Sequence, residues 1–236
     1  MNCAIMQPTY LPWPGYFALI SKVDNFVFLD DVQFERRSWQ SRNYIINSGN
    51  KTLLSIPLKK SSQKTPLNKI IFSTNTDWRA EHLNLIFNSY RKSPYWRETS
   101  IFLEKIYNEQ QLKINLSEFT KKIIYEITNI LEINVKFYSS SNMQIIEKRS
   151  AYLSHICKSI GCDTYISPIG SKDYLEEDNF TNIHNINLIF HSFMSKKYNQ
   201  FNSKSFINNL SVLDLLFNLG IAKSRSYILK GVNNEY

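Results

Sequence analysis

The sequence predicts an α/β protein with an N-terminal Rossmann-like layer, a helical middle section and a C-terminal α/β portion. Three observations predict it. Short apolar runs of strand length, residues 3–6 and 26–29, flank a brief helical stretch. Residues 77–131 carry helical periodicity instead. Beyond 132, strand-like and helical stretches alternate again. With 236 residues, 43% of them hydrophobic, the chain is long enough to bury a sizeable core. Residues 1–236 are expected to form one α/β domain, with 77–131 mainly helical and 132–236 a C-terminal α/β subregion.

The elements follow in order. Residues 3–6 read as a buried strand. Residues 7–15 hold Pro8, Pro12, Pro14 and Gly15, which enforce an irregular loop, and residues 16–20 begin a short helix. Asp24 and Asn25 break it before a strand at 26–29, and Asp30 and Asp31 follow at that strand's carboxyl end, where open α/β sheets bind ligands. Residues 44–46 and 52–57 read as a hairpin around the Asn and Gly residues of 47–50. A polar basic loop at 59–66 precedes a strand at 69–72. Asp77 caps a helix over 78–90, and further helices cover 96–107 and 116–131. A strand at 135–138, a helix at 151–160 ended by Gly161, and strands at 164–167 and 187–191 come next. The last helix spans 210–219, capped by Ser211 or Asn209 and closed by Gly220.

Composition narrows the classes. Lys plus Arg number 28 and Asp plus Glu 20, a formal charge of +8. There is no lysine run, only the pairs at 59–60, 121–122 and 196–197, and heavy use of Asn, Ile and Lys reads as genome base composition, so part of this charge carries no message. No apolar stretch approaches membrane-spanning length, and the first residues lack the pattern of a signal peptide. Three cysteines make no disulfide framework, so a cytoplasmic location is expected. No phosphate-binding glycine motif, nucleophile elbow or metal-ligand spacing occurs, and no metal site is expected.

Four groups of residues bear on chemistry, and each has a plainer structural reading. Gln7, Pro8, Tyr10, Gly15 and Tyr16 belong to a loop whose glycine opens a helix. Its free N–H groups suit an anion and its rings suit a base or sugar; otherwise it is a stiff, aromatic-packed connection. Asp30 and Asp31 suit a general base or a sugar-hydroxyl acceptor; otherwise they are strand caps. Arg36, Arg37, Arg42 and Asn43, with Trp39 between them, suit a diphosphate or nucleic acid; otherwise they are a solvated face. His82 shares a helical face with Trp78 and Tyr90; as a ligand or base it competes with the reading of a satisfied core histidine. Tyr198, Gln200, Ser211 and Asp214 carry weak signals, the last two reading as helix-terminal residues.

Residues 6–17, 23–34, 36–43, 198–200 and 210–220, in that order and spacing, resemble the WbqC-like family. Ser171 and Lys172 stand where a more glycine-rich loop is expected. The resemblance implies a bacterial protein associated with O-antigen and other surface-polysaccharide genes. It implies modification of a nucleotide-linked amino sugar (dTDP or UDP), with an acyl or aminoacyl donor delivering its group to the sugar amine. It specifies no cofactor. On this reading Asp30, Asp31 and His82 handle protons, Arg36 and Arg42 neutralise phosphates, and Gln7, Pro8, Tyr10, Gly15, Tyr16, Asn43, Tyr198 and Gln200 shape the substrate pocket. Pro8, Thr9 and residues 15–19 also echo the opening of nucleotidylyltransferase and pantothenate-synthetase domains. The histidines of that signature are missing, so the site assignment does not rest on it. Two alternatives compete: a non-catalytic basic protein that binds nucleic acid or an assembly partner, and aminoacyl transfer from charged tRNA.

Overall fold

In the computed structural model, which describes residues 1–108, 115–201, 203–230 and 232–235, the first half of the chain runs β1 (Asn2–Met6), α1 (Pro14–Ile20), β2 (Asn25–Phe28), β3 (Arg42–Asn47), β4 (Asn50–Ser55), α2 (Trp78–Tyr90), α3 (Trp96–Asn108) and α4 (Leu116–Ile130). The second half runs β5 (Lys136–Ser139), α5 (Arg149–Ser159), β6 (Thr164–Pro168), α6 (Lys172–Glu177), α7 (Phe180–His184), β7 (Asn187–Met194), α8 (Val212–Leu229) and β8 (Val232–Glu235). The mixed α/β class expected from the sequence is the class observed. No helix among the described residues is long and apolar enough to cross a membrane.

The main sheet has the order β5-β2-β1-β6-β7-β8, parallel except for β8, which runs antiparallel to β7. Counted along the chain, the parallel strands lie 3-2-1-4-5, the order of a doubly wound sheet. The order reverses between β1 and β6. Those two strands pair only through Asn2–Thr164 and Cys3–Tyr165, whereas β1 follows β2 over four residues from Cys3 to Met6. Beyond Cys3, β1 and β6 have no further pairing, and a crevice opens at their carboxyl ends.

Side chains alternate across this sheet, so each strand feeds two cores. Ala4, Phe26 and Phe28 face the larger core, with α1, α4, α8 and the β3–β4 hairpin. Cys3, Ile5 and Val27 face the smaller one, with α5, α6 and α7. Near-continuous apolar runs suit strands covered on both faces, and each buried Phe or Leu contributes roughly 1.5–3 kcal/mol. The three cysteines are free and buried, as core residues.

Local chemistry explains the element ends. Pro14 opens α1 within its first turn. Asp77 caps α2 by accepting from the Ala80 N–H at 3.3 Å, and Asn115 caps α4 through the Glu118 N–H at 2.9 Å. Ser48 and Gly49, both at positive φ (50° and 80°), make the tight turn that joins β3 to β4.

One expectation is corrected. Residues 69–72 are not a strand: a 3-10 turn occupies Leu67–Lys69, and only an isolated bridge joins Phe72 to Leu58. The Ile70 carbonyl instead accepts from the Leu116 N–H at 2.8 Å, at the start of α4. Gly220 closes the helical stretch begun at Val212, as expected, and a second stretch follows it. Its non-helical angles (φ 74°, ψ 172°) form the kink in α8, beyond which the second stretch runs to Leu229. A Cβ there would stand 2.5 Å from the Tyr95 ring, and the freed Ile221 N–H donates to Glu98 Oε1 at 3.1 Å. Glycine is needed for both the backbone angle and the close approach.

Candidate functional site

The crevice at the β1–β6 divide holds two adjoining chambers of about 380 and 330 Å³, which share Met6, Thr9 and Trp39. Each is of a size that takes a small ligand. One has aromatic walls from Trp13, Tyr16 and Trp39, with the amides of Asn43 and Asn209. The other is bounded by Gln7 after β1, Leu29 after β2, and Pro168 and Ser171 after β6; Glu35 and Gln40 complete its polar side. Its position is the one that the reversal of strand order creates.

The segment leaving β1 is extended, so its residues alternate. Gln7 and Thr9 are half-buried and face the chambers, while Pro8 and Tyr10 are buried in the protein. Tyr10 N–H donates to the Trp39 carbonyl at 3.0 Å, and Asn43 Nδ2 donates to the Leu11 carbonyl at 2.7 Å. The Pro12 carbonyl accepts from the Val212 N–H at 2.8 Å. The proline loop is thereby held between β3 and the start of α8, a rigid frame for a binding site. Trp13 lies over Gly15, where a Cβ would stand 2.3 Å from the indole. That contact gives Gly15 a packing role. All of α1 is buried, so its first turn is no anion cradle.

Gln40 sets the polar side. Its Nε2 donates to Gln7 Oε1 at 2.7 Å, and its Oε1 accepts from the Glu35 N–H at 2.9 Å. Ser38 Oγ donates to the Glu35 carbonyl at 2.7 Å. The Glu35 backbone is pinned while its carboxylate has no hydrogen bond or ion pair among the described residues. Trp39 is 52% exposed and touches Tyr44, with ring centroids 5.8 Å apart.

Asp30 and Asp31 do not line either chamber; they lie just beyond β2, and strand alternation does not part them, since Ser140 Oγ is within hydrogen-bond distance of both carboxylates (3.4 and 2.6 Å). Asp30 is buried; its carboxylate pairs with Lys121 Nζ at 3.0 Å and accepts from the Ser141 N–H and hydroxyl, each at 3.1 Å. Burial opposes the charge on Lys121, but Glu118 and Asp30 hold its pKa above the ordinary value. Asp31 accepts from Ser140 Oγ at 2.6 Å and from the Tyr152 hydroxyl at 2.5 Å. Burial, and then this bond to Asp31, raise the Tyr152 pKa. Both acids therefore tie the end of β2 to the segment after β5, and Asp31 also ties it to α5.

His82 also belongs to the core. The Tyr10 hydroxyl lies 2.8 Å from its Nδ1 and bonds to the Tyr107 hydroxyl. Burial lowers the His82 pKa to about 4, against a smaller opposing bond to the Ser55 backbone. Folding thus favours the neutral ring. Its contribution is complete above the unfolded value of 6.5 and is lost as pH falls toward 4. The stability advantage of wild type over His82→Gln, measured by urea unfolding, is expected to shrink by about 3 kcal/mol between roughly pH 7 and pH 4. A pH-independent advantage would refute the assignment.

The remaining candidates are divided. Gln7, Tyr16 and Asn43 line the chambers; Pro8, Tyr10, Arg36, Arg42, Tyr198 and Gln200 do not. Arg36 is exposed and donates to the Ser61 carbonyl at 2.6 Å, and Arg42 is half-buried at the start of β3. Tyr198 and Gln200 serve Asp214, which is fully buried. Its carboxylate accepts from Tyr198 at 2.6 Å and from Gln200 and Tyr90 at 2.9 Å each. Sequence reasoning did not select Thr9, Glu35, Gln40 or Asn209 for the site. The signal for Thr9 was its place two residues after Gln7 in an extended segment; Asn209 and Glu35 carried none.

Comparison with known proteins yields two findings. A family model described as the WbqC-like protein family matches residues 7–226. The chain is 28% identical over 226 residues to "Uncharacterized protein Rv1507c" of Mycobacterium tuberculosis (strain ATCC 25618 / H37Rv), covering 95% of this chain and 96% of that protein. No solved structure matches.

Proposed function

The chain belongs to the WbqC-like protein family, and on that premise we propose that it modifies a nucleotide-linked amino sugar of surface-polysaccharide biosynthesis by acyl or aminoacyl transfer to the sugar amine. The observation that carries this reading is the make-up of the crevice: tryptophan and tyrosine faces opposite amides and hydroxyls, at the carboxyl ends of a doubly wound parallel sheet. Aromatic faces bind the apolar side of a sugar or a base, and neutral amides match ring hydroxyls as both donors and acceptors. The two chambers adjoin, which suits two groups that must meet. No lysine or arginine lines either chamber, so the diphosphate is assigned to the rim, where Arg36 and Arg37 are exposed beside Glu35.

Isothermal titration with dTDP- and UDP-linked amino sugars tests this. Saturable one-site binding is expected. No response to any nucleotide sugar, together with salt-steep binding to RNA or DNA, would overturn it in favour of a nucleic-acid protein. Trp39→Ala is expected to weaken nucleotide-sugar binding by about tenfold, the size of a lost stacking contact. The exposed indole can be removed without opening the core, so unaltered thermal unfolding should accompany the loss. Unchanged affinity would remove Trp39 from the site.

A further inference from the structure

The crevice carries a charge selectivity that its neutral residues conceal. Among the described residues lining the two chambers, Glu35 is the one ionisable at neutral pH as an acid or a base, and its charge is negative. Three observations set it apart from the other carboxylates already described. Asp30 and Asp31 are consumed by Lys121, the serines and Tyr152. Asp214 is consumed by two tyrosines and Gln200. Glu35 is followed in the chain by two arginines, Arg36 and Arg37, and pairs with neither; the Arg36 guanidinium extends to the Ser61 carbonyl instead.

The backbone around Glu35 is held from both sides. Its N–H is bound by Gln40, which is bound by Gln7 at the end of β1, and its carbonyl receives Ser38. A carboxylate on a fixed backbone, facing a crevice without a cation, is a receptor for a ligand cation with several N–H donors. We infer that Glu35 binds the ammonium group of the acceptor sugar, and so decides that the enzyme takes amino sugars and rejects their hydroxyl counterparts. This rests on the amino-sugar reading above and orients the ligand within it: amine toward Glu35 in the chamber bounded by Gln7 and Gln40, the phosphate end outward.

The test compares two probes by titration calorimetry: a dTDP-linked amino-dideoxyhexose and the same compound with a hydroxyl in place of the amine. Wild type is expected to prefer the amine by about tenfold or more, the scale of one charge-assisted hydrogen bond. Glu35→Gln is expected to abolish that preference by weakening the amine probe alone, leaving the hydroxyl probe unchanged, and Glu35→Asp to retain part of it. Wild-type binding of the amine probe with a preference untouched by Glu35→Gln would overturn the role of Glu35 and leave the amino-sugar reading standing. Binding of neither probe to wild type would overturn both. Because Glu35 is exposed and its carboxylate has no hydrogen bond or ion pair among the described residues, circular dichroism of Glu35→Gln is expected to match wild type.

Discussion

Lys121→Met is expected to cost about 3–5 kcal/mol of stability, the penalty for stranding a buried charge. The Lys121 ammonium donates to Asp30 Oδ2 at 3.0 Å and to Ser139 Oγ at 3.2 Å, and pairs with Glu118 at 2.7 Å. Asp30 is 1% exposed, so its carboxylate has no access to water once the cation is gone. Methionine preserves the stem's volume, which makes the loss electrostatic rather than a cavity effect. The prediction has an internal control. Adding Asp30→Asn should restore most of the deficit, since the neutral amide keeps bonds to the serines after β5 without a stranded charge. Urea unfolding of the two single variants and the double variant measures it as a coupling energy. Simple additivity would show that the pair does not act as a unit. Surface pairs such as Lys172 with Glu176 (3.7 Å, both exposed) supply the contrast, and losing one of those should change little.

Asp214→Ala is expected to cost about 3 kcal/mol or more, because it leaves the Tyr90, Tyr198 and Gln200 donors without their shared acceptor. For a chain of this length that corresponds to a fall in melting temperature of very roughly 6–12 °C. Asp214→Asn should be milder at Tyr198, whose hydroxyl can rotate to accept, and still harmful at Gln200, whose amide Nε2 cannot. Asp214 sits in the first turn of α8, two residues after Val212, whose N–H holds the Pro12 carbonyl, and Ser211 N–H holds the Tyr44 carbonyl at 2.8 Å. The variant should therefore also loosen the Asn209 and Pro12 walls of the aromatic chamber and weaken nucleotide-sugar binding. Calorimetric unfolding and ligand titration on the same preparation check both effects. Normal stability with lost binding would place Asp214 in the site instead of beneath it.

These two carboxylates show how motif residues divide between scaffold and site. The stretches at 198–200 and 210–220 help identify the family, and in the fold they work as one structural unit. Gln200 also accepts from the Ile207 N–H and donates to its carbonyl, Asn218 accepts from the Phe201 N–H at 2.8 Å, and Gly220 admits the Tyr95 ring. Tyr10 and His82 read as site residues because both are polar and aromatic, and the fold assigns them to the core. Trp13 and Tyr16 were recognisable for the opposite reason: they belong to the connection from β1 into the first turn of α1, and such connections meet at the sheet's carboxyl edge, while Asn43 in β3 was singled out with the arginines around it.

The residues by themselves determined what depends on near neighbours. Apolar runs at 3–6 and 26–29 specified buried parallel strands, prolines at 8, 12 and 14 excluded regular structure between them, and Asp77 marked the start of α2. The family, too, was legible from the order of short stretches. Only the tertiary structure decided which polar side chains are free to meet a ligand. Whether a carboxylate is a base or a structural tie depends on what packs over it, and that partner lies far away in the chain. Asp30 is neutralised by a lysine 91 residues on, and Tyr90 reaches an aspartate 124 residues on. Glu35, followed in sequence by two arginines, has its carboxylate left to the crevice, with the adjacent Arg36 reaching the Ser61 carbonyl 25 residues on.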